Sequence, residues 1–171
     1  HFVLDFIPHC PVPLLIDADG LNAVSENPDV LNEAAQPVVL TPHPGEMARI
    51  RDCSIAGIQQ NREKEARALA ERTGVVVVLK GHGTVIADPG GEVFLNPTGN
   101  HGMATGGAGD VLTGLLGGLL AQGLEARAAA SLGVYLHGLA GDVAAERMTP
   151  RALVAGDIID ALPEAWRRLE E

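Results

Sequence analysis

Three short runs of aliphatic residues are the strongest constraint on the fold of this 171-residue chain. They occupy Leu14–Ile16, Val38–Leu40 and Val75–Leu79, and none of them alternates with polar residues. Uninterrupted apolar strands are typical of a parallel sheet that is covered on both faces. The segment Ser54–Thr73 between the second and third runs has helical periodicity, and Gly74 suits a helix C-cap. Strand, helix and strand in this order predict a βαβ unit, so we expect an α/β fold.

The second half of the chain predicts a hairpin followed by helices. Thr84–Ala87 and Glu92–Leu95 flank a turn made of Asp, Pro and Gly residues, which is typical of a β-hairpin. Helices are expected at 110–122, 125–147 and 157–170, the last of them kinked or interrupted at Pro163. The chain contains no internal repeat and no linker, so we expect residues 1–171 to form a single domain with a mostly parallel sheet.

Composition excludes several classes of protein. Apolar residues make up 46% of the chain, which is enough for a buried core and argues against disorder. The net charge is −10 and no Lys/Arg-rich block is present, which argues against nucleic acid or an anionic membrane as a partner. The longest apolar stretches are too short to span a bilayer. Cys10 and Cys53 form no CxxC or zinc pattern, so we expect buried thiols in a reducing compartment.

A glycine-rich loop at Thr105–Asp110 runs directly into a predicted helix. Glycines leave backbone N–H groups unobstructed, and a helix start adds the positive end of a dipole, so the loop is suited to bind phosphate. Asp110 in the first turn could stabilise the helix or act as a general base beside the anion. The alternative is an ordinary helix N-terminus after a flexible loop. The patterns of a P-loop and of a dinucleotide-binding loop are absent.

A lysine and a histidine follow two of the predicted strands. Lys80 ends the most hydrophobic strand and is followed by Gly81, His82, Gly83 and Thr84, which would suit a phosphate or nucleotide because ligands of α/β sheets bind at the carboxyl ends of strands. The alternative is a charge that ends a strand before a hairpin turn.

His43 lies between two prolines after the second strand, where it could contact substrate or cap a helix. Asp17 and Asp19 follow the first strand, where they could ligate Mg²⁺ or cap the next helix. His137 lies in an apolar helix and is interpreted as a hydrogen-bonded core histidine.

Five motifs together resemble the bacterial NAD(P)H-hydrate dehydratases. They are DADGLN at 17–22, LTPHPGEM at 40–47, LKGHGT at 79–84, NPTGNHGMATGGAGDVLTG at 96–114 and YLHGLAGD at 135–142. They occur in the family's order and spacing, and the resemblance covers about Pro13 to Trp166. It implies a ribokinase-like, three-layer α/β/α fold. It also implies an ADP-dependent reaction that removes water from the S-epimer of hydrated NADH or NADPH and releases AMP and phosphate.

The resemblance also implies roles for particular residues. Asp110 would be the catalytic base, and the amides of Gly106, Gly107, Ala108 and Gly109 would stabilise the transferred phosphoryl group. The nucleotide-binding positions would be Lys80, Gly81, His82, Gly83, Thr84 and Gly109. His43 and Asp110 would contact the hydrate. Mg²⁺ is expected with ADP, or with ATP in its place, and its ligand among Asp17, Asp19, Asn22 and Glu46 is left open. The family more often has Ala at the position of His82 and Pro at that of His101.

Further expectations follow from the same resemblance. We expect a cytoplasmic homo-oligomer, fused to or paired with an NAD(P)H-hydrate epimerase. Because the family's domain begins upstream of Asp17, we expect an N-terminally truncated domain with an incomplete sheet, in which the nucleotide half of the site is present and the hydrate half is partly absent. Two alternatives stay open, a hydroxymethylpyrimidine-type kinase of the same fold and an inactive nucleotide-binding fragment.

Overall fold

A computed structural model describes residues 2–170 and contains one five-stranded mixed sheet. The strands are β1 (Leu14–Ile16), β2 (Val38–Leu40), β3 (Val76–Leu79), β4 (Val85–Ala87) and β5 (Val93–Leu95), in that order across the sheet. The first three are parallel, and β4 and β5 add an antiparallel hairpin beside β3. The predicted parallel unit and hairpin are therefore confirmed, with β1 and β2 at the predicted residues.

Eight α-helices connect and cover these strands within the described residues. They are α1 (Phe2–Phe6), α2 (Asp19–Val24), α3 (Pro44–Ile50), α4 (Ile55–Gln60), α5 (Arg62–Thr73), α6 (Ala108–Ala121), α7 (Ala126–Arg147) and α8 (Ala155–Glu170). Four short 3₁₀ turns lie at Ile7–His9, Pro28–Glu33, His101–Met103 and Pro150–Ala152.

Both faces of the sheet are buried along β2, β3 and β4, as the uninterrupted apolar runs at β2 and β3 predict, whereas the edge strand β5 is largely exposed. Along β3, Val77 and Leu79 belong to the core shared with α3 and α5, whereas Val76 and Val78 belong to the core shared with α6 and α7. Successive side chains of a strand point to opposite faces, so a strand covered on both faces has no position for a polar residue. The arrangement is the predicted three-layer α/β/α fold.

Two local expectations are wrong, and a third is decided in part. The helix predicted at Ser54–Thr73 is two helices, because Asn61 leaves the helical conformation and its side chain donates to the Gly57 carbonyl at 3.2 Å. Of the kink or interruption expected at Pro163, the interruption does not occur, since α8 continues through Pro163; Ile159, whose carbonyl Pro163 leaves without a helical donor, is exposed. Cys53 is exposed in the turn after α3, whereas Cys10 is buried as expected.

Gly74 ends α5 in the left-handed conformation, with φ of 66°, which confirms the predicted cap. Among residues 2–170, no helix combines the length and the apolar character that crossing a membrane requires.

Candidate functional site

A cavity of about 460 Å³ lies where β2 and β3 end. It is lined by His43, Pro44, Lys80, Gly81, His82, Gly83, Thr84, Asn96, Thr98, Gly99, Asn100, His101, Met103, Ala104, Ala108, Gly109, Leu112, Val134, His137 and Gly138. The described lining contains one lysine and four histidines but no carboxylate, although the chain as a whole carries a net charge of −10. The cavity therefore offers one ammonium group and several hydrogen-bonding side chains to a ligand of small-molecule size.

Lys80, at the carboxyl end of β3, lies beside two carboxylates. Its Nζ donates to Asp17 Oδ1 at 2.7 Å and lies 4.0 Å from Glu46 Oε2. Asp17 Oδ2 accepts from the Thr113 hydroxyl at 2.9 Å, so this one carboxylate joins β1, β3 and α6. Burial raises the pKa of Asp17, but the hydrogen bond and charge of Lys80 and the bond from Thr113 outweigh it and hold the pKa below its usual value.

The Asp17 contacts correct the sequence-based interpretation of the DADGLN motif. Neither Asp17 nor Asp19 caps α2, which has no side-chain cap at Ala18. Asp19 is exposed and accepts from Asn22 at 3.2 Å. Within residues 2–170, no group of three or more His, Cys, Asp and Glu side chains forms a preassembled metal site.

The start of α6 brings the glycine-rich loop beside Lys80. Gly107 takes the left-handed conformation, with φ of 85°, at the N-cap position. A Cβ on Gly109 would lie 3.7 Å from Lys80 Nζ, so the ammonium group reaches the first turn of the helix. Ala108 and Gly109 line the cavity, whereas Gly106 and Gly107 are exposed outside the lining. Asp110 follows Gly109 in the same turn, and its side chain is exposed.

His43 caps a helix, which was one of the two roles that its sequence left open, and it also lines the cavity. Its Nδ1 accepts from the backbone N–H of Gly45 at 2.9 Å and of Glu46 at 3.2 Å, and Glu46 Oε2 accepts from the His43 N–H at 2.7 Å, which completes a capping box for α3. Because Nδ1 accepts, the neutral ring carries its proton on Nε2. His43 also lines the cavity, with its side chain 55% exposed. Its Nε2 lies 3.4 Å from Glu46 Oε1, so the ring caps α3 and borders the cavity at the same time.

Arg62, at the start of α5, binds the backbone at the loop 80–84. The guanidinium donates to the Leu79 carbonyl at 3.0 Å and to the His82 carbonyl at 2.5 Å. Burial lowers the pKa of Arg62. Arg62 therefore fixes the loop that carries the five sequence-predicted nucleotide residues, all of which line the cavity.

The segment 96–104, which packs against α7, forms a second wall of the cavity. The Thr98 hydroxyl donates to the Tyr135 carbonyl at 2.8 Å, and the Asp142 carboxylate accepts from the Gly99 N–H at 2.8 Å and from Asn100 Nδ2 at 2.9 Å. Sequence reasoning assigned no role to Asp142, although it closes the YLHGLAGD motif. The signal available was its place in that motif.

His137 is the hydrogen-bonded histidine that its apolar surroundings predict. Its Nε2 lies 2.9 Å from the Ala108 carbonyl, and it also lines the cavity. Burial lowers the pKa of His137 to about 4, although the bond to Ala108 acts in the opposite direction. The ring is therefore neutral at pH 7 and donates to the first turn of α6.

Comparison with known proteins identifies relatives along nearly the whole chain. The sequence profile of the NAD(P)H-hydrate dehydratases matches residues 2–164. The bifunctional NAD(P)H-hydrate repair enzyme Nnr of Moorella thermoacetica is 52% identical over 169 residues, which are 99% of this chain and 32% of that enzyme. This chain thus spans about a third of the length of that bifunctional relative.

Two solved structures share the fold. The ADP/ATP-dependent NAD(P)H-hydrate dehydratase of Bacillus subtilis, co-crystallised with ATP and Mg²⁺, matches with a TM-score of 0.85 and 35% identity over 96% of this chain and 58% of that chain. A ribokinase-like superfamily protein from Enterococcus faecalis V583 matches with a TM-score of 0.73 and 32% identity over 90% of this chain and 52% of that chain. The predicted ribokinase-like fold is therefore confirmed.

Proposed function

The chain belongs to the NAD(P)H-hydrate dehydratase family, and we propose that it carries the ADP-dependent dehydration of (6S)-NAD(P)H hydrate to NAD(P)H, with release of AMP and phosphate. The observation that carries this proposal is that the Lys80 ammonium group reaches the first turn of α6 at the cavity. The described lining of the cavity contains no carboxylate. The exposed Asp110 follows directly in the same turn of the helix. Phosphoryl transfer requires a cation that binds the anionic phosphoryl donor and a base that accepts a proton, and Lys80 and Asp110 supply these two groups.

The cavity is proposed to bind the adenine nucleotide. Its volume of about 460 Å³ lies within the range of small-molecule sites. Lys80 would bind a phosphate oxygen, and Gly81, His82, Gly83 and Thr84 would contact the nucleoside, with Gly109 closing the site at α6. The apolar residues Met103, Leu112 and Val134 in the lining would suit a flat base.

Asp110 is proposed as the catalytic base. The hydroxyl oxygen on the hydrated nicotinamide ring attacks the terminal phosphorus of ADP, AMP leaves, and the hydroxyl proton passes to the Asp110 carboxylate. The backbone amides of Gly106–Gly109, in the loop and first turn where α6 begins, would stabilise the charge on the transferred group. The phosphate ester then eliminates: the ring C–O bond breaks and phosphate leaves with its electron pair, the proton on the neighbouring carbon passes to solvent, and the electrons of that C–H bond form the C=C bond of NAD(P)H. His43, which borders the cavity, would contact the hydrate through its ring.

Mg²⁺ is proposed to enter with the nucleotide. A nucleotide-bound Mg²⁺ needs only one or two protein carboxylates because phosphates and waters complete its octahedron. Asp17 and Glu46 fit this need, since both reach Lys80 Nζ beside α6. When bound, the ion would neutralise charge on the phosphates.

The remaining partners follow from the same family. The bifunctional Moorella relative is named a repair enzyme for NAD(P)H hydrate, which supports pairing or fusion of this domain with an epimerase. We place the reaction in the cytoplasm, where NAD(P)H is consumed. A homo-oligomer stays a prediction.

The experiment mixes this chain with hydrated NADH, ADP and Mg²⁺ and follows the absorbance of reduced nicotinamide. The proposal expects recovery of absorbance with release of AMP and phosphate. Asp110→Asn should abolish turnover and leave ADP affinity within about twofold, because the base acts in the transition state. Asp160→Asn, at an exposed aspartate of α8, is the matched control and should keep full activity.

Two outcomes would contradict the proposal. A stable phosphorylated alcohol without reduced-nicotinamide absorbance would identify a kinase. Absence of any product with either ADP or ATP, from a chain that binds neither nucleotide, would remove the proposed site.

A further inference from the structure

We propose that Asp142 is a positioning residue for this site, because its carboxylate holds the segment 96–104 in the shape that forms one wall of the cavity. The inference rests on the proposed nucleotide site and assigns Asp142 a function within it. Asp142 does not line the cavity itself. Any effect on the ligand must therefore pass through the segment.

The two carboxylate oxygens have separate partners. Oδ2 accepts the backbone N–H of Gly99 at 2.8 Å, and Oδ1 accepts the side-chain amide of Asn100 at 2.9 Å. The Asp142 carboxylate can accept both bonds at once, since it has two acceptor oxygens and no donor. Bonds to an ionised acceptor are also stronger than neutral ones.

Asn100 extends this hold into the segment. Its Nδ2 also donates to the Gly141 carbonyl at 3.0 Å, and its Oδ1 accepts the N–H of Gly102 at 3.0 Å. The Asp142 carboxylate thus orients an amide that in turn shapes the 3₁₀ turn His101–Met103. Both His101 and Met103 line the cavity.

The backbone at Gly99 leaves little room for another arrangement. Gly99 has a φ of 99°, which L side chains rarely adopt, and a Cβ there would lie 3.2 Å from Met103 Sδ and 3.5 Å from the Gly138 Cα. On the helix side, a Cβ on Gly138 would lie 2.8 Å from the Thr98 carbonyl carbon. The segment and α7 are in backbone contact, and Asp142 satisfies the N–H that this contact would otherwise leave unpaired.

The segment supplies a continuous part of the cavity wall. Its lining residues are Asn96, Thr98, Gly99, Asn100, His101, Met103 and Ala104. If the Gly99 N–H loses its acceptor, the turn that follows is no longer fixed, and the bound nucleotide must order it. The cost of that ordering lowers affinity.

The test measures ADP affinity by calorimetry with Mg²⁺, well below the unfolding temperature. Asp142→Asn should weaken ADP binding about tenfold, because the amide cannot accept from the Gly99 N–H and from Asn100 together. The matched control is Glu146→Gln, one turn further along α7, where the carboxylate binds Arg168 and not the segment. It should leave ADP affinity unchanged.

A double-mutant cycle with Asn100→Ala separates positioning from general weakening. If Asp142 acts through Asn100 and its segment, the two losses will be clearly less than additive. Hydrogen exchange should speed up at amides 99–103 in Asp142→Asn, while amides of β3 stay protected.

Unchanged ADP affinity in a folded Asp142→Asn chain, or fully additive losses in the cycle, would overturn the inference. If the wild-type chain does not bind ADP, the proposed nucleotide site is wrong. Hydrogen exchange then decides the inference alone: faster exchange confined to 99–103 supports the hold on the segment, and unchanged exchange overturns it.

Discussion

The two walls of the cavity, the loop 80–84 and the segment 96–104, are held in place by side chains of opposite charge. Behind the loop 80–84, the Arg62 guanidinium binds the carbonyls of Leu79 and His82. Behind the segment 96–104, the Asp142 carboxylate binds N–H groups of Gly99 and Asn100.

The guanidinium binds carbonyls and the carboxylate binds N–H groups, so the two walls are held by groups of opposite charge. The Lys80 ammonium at the first wall suits phosphate. The cavity-lining residues of the segment 96–104 include no Lys, Arg, Asp or Glu, which suits the neutral part of a nucleotide. Three predictions test this difference.

Acid should weaken the contact between α7 and the start of α6, where His137 Nε2 donates to the Ala108 carbonyl, whereas the Arg62 guanidinium stays protonated. The pKa of His137 is lowered to about 4 by burial, from 6.5 in an unfolded chain. The unfolded chain therefore binds a proton that the folded chain rejects between these values. The stabilising contribution of neutral His137 is complete above pH 6.5 and is lost as pH falls towards 4. The loss amounts to roughly 3 kcal/mol of the free energy of unfolding.

Chemical denaturation from pH 7 to pH 4 measures this loss by comparing the wild type with His137→Gln, which can still donate to the Ala108 carbonyl but does not titrate. The difference between the two curves isolates His137 from the carboxylates that titrate in the same range. Parallel curves would show that His137 is not a neutral, buried group.

Replacing Lys80 should remove the phosphate preference of the first wall. Lys80→Met is expected to weaken ADP binding about tenfold to a hundredfold, because a hydrogen bond between charged groups contributes about 1.5–3 kcal/mol. AMP should lose less than ADP if Lys80 binds the terminal phosphate. Calorimetry on both ligands measures the two losses.

The chain offers a matched control because Lys64 is its one other lysine and lies exposed on α5. Lys64→Met should leave both affinities unchanged. Equal losses for Lys80→Met and Lys64→Met would reduce the role of Lys80 to overall charge.

The smallest effect is expected from Arg62. Arg62→Met removes the donors to two loop carbonyls and should lower the free energy of unfolding by about 1–2 kcal/mol, with a loss of ADP affinity of about threefold to tenfold. Arg72→Met, which breaks an exposed ion pair with Asp29, is the control and should cost less than about 1 kcal/mol. If Arg62→Met weakens ADP binding no more than Arg72→Met does, the first wall does not depend on its cation.

The sequence predicted most of the fold because the apolar strands and the turn chemistry act locally. Leu14–Ile16 and Val38–Leu40 form strands at the predicted residues, and Gly74 caps its helix. The break at Asn61 was missed because a side chain that competes for a helix carbonyl leaves the apolar periodicity intact.

The site was predicted in part. The residues at strand ends, His43 and Lys80, were found because parallel strands bring their carboxyl ends to one edge. The sequence does not predict the contact of Asp17 with Lys80, because the two residues are 63 positions apart. Nor does it predict that of Asp142 with Gly99, 43 positions apart. No local pattern reports such a pairing.

The most direct test of the account is a crystal structure of this chain with ADP and Mg²⁺. We expect the terminal phosphate over Gly106–Asp110, within reach of Lys80, and the adenosine between Lys80–Thr84 and the segment 96–104. A nucleotide bound outside this cavity, or one whose base occupies the first turn of α6 while its phosphates face Met103, would contradict it.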